Sequence, residues 1–342
     1  MASERPILIA TRGSALALAQ SNMILAQCRA AFPRLVFELK IIKTTGDKLQ
    51  TASLAKEGES LPKGLFTKEL EVALLKHRAD FAVHSLKDLP TELPAGLALG
   101  AVGKRADVRD VLIYRDADFL QQVEAGAAPE EWTPGQSQRR GYRPKLALKD
   151  LPAGATVATS STRRKAQLLA HHPGLKVVDI RGNVATRIQK LMERPELDAT
   201  VLALAGLTRL NFTITPEGRL LGDAVPDGVL ATILGTDIML PCVGQGAIGI
   251  ETRRDDERIA TICERLNHHH TLQCVTAERA FLAGMGGGCQ SPVGALATVD
   301  GERLRLQAVS FADGTLRRAE ESGTLKDAAA VGARVAEQLR PT

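Results

Sequence analysis

Two stretches of this 342-residue chain follow one plan: IATRGSALALAQ from Ile9 and VATSSTRRKAQL from Val157. Each runs from a short apolar segment through a threonine to a hydroxyl and an arginine, and then into a helical pattern. In the first copy Leu16, Ala19, Met23 and Ala26 recur at helical spacing, predicting a helix over 15–30 with Ser14 at its N-cap. Exposed amides at a helix start, with Arg12 beside them, make a receptor for an anion. A strand–turn–helix device that appears twice constrains the fold strongly. It predicts two similar α/β domains, each with an anion-binding turn at a strand end, facing one another across a cleft.

The rest of the chain keeps to that pattern. Strands are predicted over 7–10, 35–42, 81–83, 110–114, 156–159, 176–180 and 199–203, with helices between them over 15–30 and 67–77 and after Ser161 and Asn183. Residues 48–64 lose all periodicity and carry Lys56 and Lys63, which suggests a lid over an anionic ligand. Residues 116–150 are poorly periodic, and 118–149 read as an inserted surface excursion. Pro241 to Ala247 contains two glycines and predicts a crossing point that returns residues 247–250 to the first sheet. His268, His269 and His270 read as a solvated turn, not a metal site, since three adjacent side chains cannot share one helical face. A helix over 271–283, a glycine-rich loop over 284–292, strands over 293–299 and 303–310 and a helix over 327–339 make a small α+β C-terminal domain.

Charge narrows the ligand. The chain has 44 Lys and Arg against 39 Asp and Glu, a net charge of only +5, yet Arg163, Arg164, Arg181, Arg187 and Arg209 crowd one region near predicted strand ends. Aromatic residues are 3% of the chain, too few for the stacking platforms of a nucleic-acid binder. A small polycarboxylate or phosphate fits better. No apolar run approaches the length of a membrane span, and the N-terminus has no signal-peptide profile, so a cytoplasmic protein is expected. The five cysteines are odd in number and irregularly spaced, which predicts reduced thiols and neither a disulfide framework nor a metal site.

The stretch FAVHSLKDLP, residues 81–90, passes from a buried strand into His84, Ser85, Lys87 and Asp88 before Pro90 stops any regular continuation. A carboxylate one turn past a strand end is a natural catalytic candidate. Cys289, on the glycine-rich loop, is accessible by its neighbours' small size, although buried inert cysteine is the commoner fate of this residue.

Together, HSLKDLP, ATSSTRR, RGNVATR, AGLTRL, VGQGA and GGGCQSPVG, with TRGS near the start, resemble the hydroxymethylbilane synthase (porphobilinogen deaminase) family from about residue 7 to the C-terminal domain. The resemblance implies two lobes like those of a periplasmic binding protein and a third, small α+β domain. Their bounds are 1–105 with 243–264 for domain 1, 106–242 for domain 2 and 265–342 for domain 3. It implies a transferase that joins four porphobilinogens head to tail with loss of ammonia and releases the linear product with water. The cofactor implied is a dipyrromethane, held by a thioether to the cysteine that matches Cys289, with no metal. Asp88 matches the catalytic carboxylate, which would stabilise positive charge as ammonia leaves the substrate. Arg12, Ser14, Lys87, Ser161, Arg163, Arg164, Arg181, Arg187 and Arg209 are implied as cofactor and substrate contacts, since an arginine fork suits acetate and propionate groups. Lys56 and Lys63 fall on a loop longer than the family's. The family also implies a cytoplasmic monomer whose product passes to uroporphyrinogen-III synthase, without nucleic acid or membrane. Three residues depart from the family pattern: Gly286 stands where a glutamate is usual, Ala158 where a glycine is, and Cys242 where alanine is common. A non-catalytic two-lobed binding protein for a small polycarboxylate is the alternative that the fold and the arginines alone would allow.

Overall fold

A computed structural model of the chain describes residues 5–44, 66–126, 139–288 and 291–340. The predicted lid residues Lys56 and Lys63, and Cys289, lie outside the described residues. The chain divides into two compact units, 1–107 with 241–342 and 108–240.

The first unit is built on a five-stranded sheet. Strands β1 (Ile7–Thr11), β2 (Phe37–Ile41) and β3 (Phe81–Ser85) are parallel, and β4 (Leu97–Val102) is separated from them by a late-arriving antiparallel strand, for a spatial order of β2, β1, β3, returning strand, β4. Helix α1 (Ala15–Ala31) covers one face, where Ile7, Ile9, Phe37, Phe81 and Val83 are buried with Ile24 and Cys28. Helix α2 (Lys68–Leu75) covers the other through Leu70 and Leu74 on Ala10 and Ala82. That division follows from the two-residue alternation of a strand: Phe81 and Val83 point one way, Ala82 and His84 the other.

The second unit repeats the topology. After β5 (Asp110–Arg115) and α3 (Ala117–Gly126), the parallel strands are β6 (Thr156–Ala158), β7 (Lys176–Val178) and β8 (Ala199–Ala203), interleaved with α4 (Thr162–His171) and α5 (Val184–Glu193). Helix α6 (Leu204–Arg209), the β9–β10 hairpin (Thr213–Ile214, Leu220–Leu221) and β11 (Val229–Ile233) follow. The sheet order is β7, β6, β8, β5, β11, with β5 antiparallel to both neighbours. With only the parallel strands of each unit numbered, both sheets run second, first, third, antiparallel strand, outermost strand. The short sequence repeat is thus one corner of a repeated domain.

The chain returns to the first unit through Pro241–Ala247, as expected, and β12 (Ile248–Arg253) is the strand that separates β3 from β4. Gly246 has φ +84°, and a Cβ there would sit 2.6 Å from the Ala106 carbonyl oxygen, so this crossing requires glycine. Helices α7 (Glu257–Leu266) and α8 (His269–Gly284) lead to an antiparallel sheet of β13 (Val293–Asp300), β14 (Arg303–Ser310) and β15 (Arg317–Thr324), covered by α8 and α9 (Ala328–Leu339).

Two readings of the sequence are corrected. The histidine run is solvated at His269 and His270, as expected, but opens a helix instead of a turn: His268 caps α8, its Nδ1 accepting from the Thr271 amide at 3.3 Å, and His269 and His270 begin the first helical turn. The described parts of the expected surface excursion, 118–126 and 139–149, are packed into the unit. Helix α3 places Leu120 in contact with the core, and Leu148 is buried against Tyr114 and Leu151. Tyr142 donates to Asp198 at 2.8 Å and stacks edge-on against Tyr114. The apolar residues of the segment are too sparse to show a period, yet Leu120 and Leu148 are buried and Tyr142 and Leu146 pack against the core.

Candidate active site

In the first unit, β1 ends at Thr11 and α1 begins after Ser14, whose side chain accepts from the Ala17 amide at 3.4 Å. Thr11 is buried and ties the turn to the helix by accepting from Ser21 at 2.6 Å. Arg12 is half-buried, its guanidinium 4.2 Å above the centre of the Phe66 ring, a contact that orients a cation without neutralising it.

β3 presents the Asp88 turn next door. Gln20 of α1 and Ser85 exchange hydrogen bonds at 2.8 and 3.1 Å, which joins the Arg12 corner to the end of β3. A 3-10 turn, Leu86–Asp88, follows at once. Leu86 and Leu89 are buried, at 1% and 4% exposure, while Lys87 and Asp88 between them are only half-buried. The turn is therefore nailed down by its apolar ends and offers its charged middle. Beneath it lies a polar seam. His84 Nε2 meets Glu251 Oε2 at 3.0 Å, both side chains being buried, and Glu71 of α2 is close enough that burial and the Glu251 charge push its carboxyl up while His84 opposes them.

In the second unit the corresponding corner is charged and closed. Ser161 caps α4 by accepting from the Arg164 amide at 3.4 Å, as Ser14 does for α1. Arg163 and Arg164 were expected to meet ligand carboxylates and not protein ones. Instead both fork onto Asp110, at 2.8 and 2.7 Å, and each donates a second bond to a carbonyl, Leu240 at 2.6 Å and Val201 at 2.8 Å. Burial opposes the charge on Asp110, but the two guanidiniums outweigh it and hold the carboxyl well below its usual range. Two buried cations on one buried anion leave a net charge of +1 (2 − 1) at this corner, and the Nε of each arginine is buried without a hydrogen-bond partner. Nothing local to Asp110 announces this: it opens a strand 53 and 54 positions before its partners.

The other arginines are arranged around α5 and α6. Asn183 caps α5 by accepting from Thr186 at 2.8 Å, Arg187 Nε donates to the Gly182 carbonyl at 2.9 Å, and Lys190 holds the Arg181 carbonyl at 3.0 Å. Arg181, Arg187 and Arg209 are all half-buried, and burial pushes Arg209 down to about 10. Among the described cysteines, burial pushes Cys28 and Cys263 up to about 12 and Cys274 to about 11, so their thiolates are scarce and their reactivity low. The loop that leads to Cys289 leaves α8 in a fixed direction: the amides of Gly286 and Gly287 donate to Ala283 and Leu282, and Gly288 and Ser291 bond to one another on either side of residues 289–290.

The first unit thus offers a half-buried arginine beside helix-start amides and a half-buried carboxylate on a fixed turn, and the second offers half-buried arginines and a corner with surplus positive charge and two Nε donors without partners. That donor set fits a ligand bearing several carboxylates. A family profile described as "Porphobilinogen deaminase, dipyromethane cofactor binding domain" matches residues 7–261, and one described as "Porphobilinogen deaminase, C-terminal domain" matches residues 272–341. The chain is similar to the porphobilinogen deaminases of Pelotomaculum thermopropionicum (43% identity over 338 residues), Desulforudis audaxviator (44% over 337) and Paracoccus denitrificans (41% over 341). Each of these alignments covers 98% of this chain and 94% of the relative.

Proposed function

Since this chain belongs to the porphobilinogen deaminase family, we propose a division of labour in which Asp88 serves the chemistry and the strand-end cations serve the carboxylates. Its function is that of a hydroxymethylbilane synthase in tetrapyrrole biosynthesis, acting on porphobilinogen with a dipyrromethane cofactor. We assign it to the transferases: each condensation forms one carbon–carbon bond and releases one ammonia, and after four of them water ends the chain.

When bound, the dipyrromethane supplies the terminal pyrrole carbon to which the first substrate is joined, and Cys289 is the residue we assign to hold it. Arg12, Arg181, Arg187 and Arg209, with the capped amides behind Ser14 and Ser161, would take the acetate and propionate groups. Lys87 would add a point charge. Arg163 and Arg164, already committed to Asp110, supply field and two spare Nε donors. Lys56 and Lys63 remain candidates for covering the ligand. Asp88 would accept the substrate pyrrole N–H and stabilise the positive charge that grows as ammonia departs, a role that needs a fixed carboxylate with access to the ligand. The observation that carries this reading is the Asp88 turn itself, with Leu86 and Leu89 buried on either side of a half-exposed acid.

Among the described residues no helix is long and apolar enough to cross a membrane. A cytoplasmic monomer that passes its product to uroporphyrinogen-III synthase is the setting we propose. Intact mass spectrometry of purified protein tests the assignment of the anchor. The mass should exceed the sequence mass by two linked pyrrole units, and Cys289→Ser should stay at the bare mass and be inactive. A Cys289→Ser protein that still carries the extra mass would move the attachment to another residue. A wild-type protein that carries no extra mass and does not consume porphobilinogen would favour a binding protein for a small polycarboxylate.

A further inference from the structure

The turn that carries Asp88 does not rest on its own sheet alone. Leu86 and Leu89, which flank it, pack with Val275 of α8, and Leu272 lies against the same cluster. One helical turn beyond Val275, on the same face, Arg279 reaches back to the exit of the turn. Its Nη1 donates to the Leu89 carbonyl at 3.1 Å, and its Nη2 to those of Pro90 at 2.6 Å and Thr91 at 3.2 Å. One guanidinium therefore holds three successive carbonyls of the chain segment that leaves Asp88. A planar fork can do that, and an ammonium cannot match its geometry. Burial pushes Arg279 down and the Glu251 charge opposes it, so the polar seam under the turn also helps to keep the clamp charged.

The residue before it fixes the other side of α8. Glu278 is fully buried and accepts from Arg105 at 2.6 and 2.9 Å, from the Gly244 amide at 2.8 Å and from the Ala297 amide at 2.9 Å. It ties the helix to the crossing segment and to β13. Neighbouring residues of one helix thus grip the Asp88 exit, the return crossing and the C-terminal sheet. The same helix ends at Gly284, and its next turn delivers the loop that contains Cys289.

We propose that α8 is the element that registers the Asp88 turn against the C-terminal loop, and that Arg279 is the positioning residue through which it does so. Arg279 acts on Asp88 by fixing the backbone after it and does not itself meet the substrate. The proposal rests on the reading of Asp88 as the group that stabilises charge on the substrate. Displacing such a group slightly is expensive, since a misplacement of about 1 Å can cost on the order of 10²-fold in rate. The cost should fall on the chemical step, because the arginines assigned to ligand carboxylates stay where they are.

The experiment uses the full-length protein after its cofactor loading has been checked by intact mass. Arg279→Met keeps the stem and removes the fork; Arg279→Lys keeps a charge. Single-turnover rates should fall between about 10- and 10²-fold for Met, with an intermediate loss for Lys and KM unchanged. Hydrogen exchange should rise in residues 86–93 and stay as in wild type across β13 and β14. Combining Arg279→Met with Asp88→Asn should give a rate no lower than Asp88→Asn alone, because the clamp acts only through that carboxylate. If Met leaves no soluble protein, Lys decides by the same rate and exchange measurements. A wild-type rate in the clamp variant beside a slow Asp88→Asn, or losses that multiply in the double variant, would sink the proposal. Asp88→Asn turning over at the wild-type rate would instead sink the reading of Asp88, whatever Arg279 does.

Discussion

The two strand-end corners, β1 to α1 and β6 to α4, share a backbone and differ in what they do with charge. Both follow a threonine, both are capped by a serine that accepts from the amide three residues on at 3.4 Å, and both sit on the first strand of a second–first–third parallel set. In the first unit the cation, Arg12, precedes the cap and lies half-buried over Phe66. In the second the two arginines come after the cap, inside the first turn of α4, and helical geometry drives them into the unit, where Asp110 receives both. Moving an arginine from one side of the cap to the other changes a half-buried group stacked on a ring into a buried one paired with a carboxylate. The same sequence element can therefore be a contact in one copy and a field source in the other.

The largest difference between the corners should appear on neutralising Asp110. Asp110→Asn leaves two buried guanidiniums without their anion, raising the local charge from +1 to +2 by the removal of one carboxylate. Breaking a buried pair in this way costs roughly 3–5 kcal/mol, readable as a fall in the urea midpoint. The pH dependence has a definite sign. The folded carboxyl lies below its unfolded value, so its contribution is fully present above the ordinary carboxylate range, about pH 4, and is lost as pH falls toward the lower folded value. The Asn variant should lack that part of the acid limb. Equal acid midpoints for wild type and Asn, corrected for overall stability, would remove Asp110 as the counter-ion.

Asp88, on the open side of the comparison, should behave in the opposite way. Asp88→Asn should lower the single-turnover rate on the order of 10²-fold and leave the thermal midpoint close to wild type, since Leu86 and Leu89 hold the turn without it. Asp88→Glu, with its charge displaced, should fall between them. A loss of stability with a normal rate in folded, cofactor-loaded protein would make Asp88 a structural residue.

The contrast between those two acids shows how far a sequence can be read. The turn that carries Asp88 was legible because everything that marks it is local: an apolar strand, a polar cluster and a proline within ten positions. The parallel strands and capped helices were legible for the same reason. Asp110 was not, since nothing near it announces two partners 53 and 54 residues away. Arg279 was equally silent, a mid-helix arginine whose carbonyls lie about 190 positions earlier. Strand β15 reads RRAEESGT, with no apolar alternation, and is a strand only because β14 pairs with it along its full length. Most of the sheet's core residues come from β13 and β14, while β15 adds Ala319 and a close approach of Gly323 to Val331.

A smaller effect separates the arginines themselves. Arg163→Leu removes one charged hydrogen bond to Asp110 and one to the Leu240 carbonyl, and should cost about 1.5–3 kcal/mol of stability. Arg12→Leu loses, among its contacts, a cation–π contact of about 0.5–1 kcal/mol at a half-buried site, and should cost less than Arg163→Leu. On ligand affinity the order should reverse, with Arg12→Leu raising KM more than Arg163→Leu does in protein of equal cofactor loading. If Arg163→Leu unfolded no more easily than Arg12→Leu, the second corner would be as available to ligand as the first.

The smallest expected effect tests what the corners have in common. Removing an N-cap hydroxyl typically costs about 0.5–2 kcal/mol, and the long 3.4 Å bonds of Ser14 and Ser161 put both at the lower end. If the caps are purely structural, Ser14→Ala and Ser161→Ala should lower stability by similar small amounts and leave KM alone. If the freed amides behind them also receive ligand carboxylates, the two variants diverge. Ser14 stands beside Arg12, which we assign to a ligand carboxylate, so its loss should raise KM beyond what the stability change explains. Ser161 stands before arginines that face inward to Asp110, and its loss should raise KM less than that of Ser14. Urea midpoints and KM measured on both variants decide it: matched KM values would mean that the repeated cap is scaffolding in both copies and that only the placement of the arginines distinguishes them.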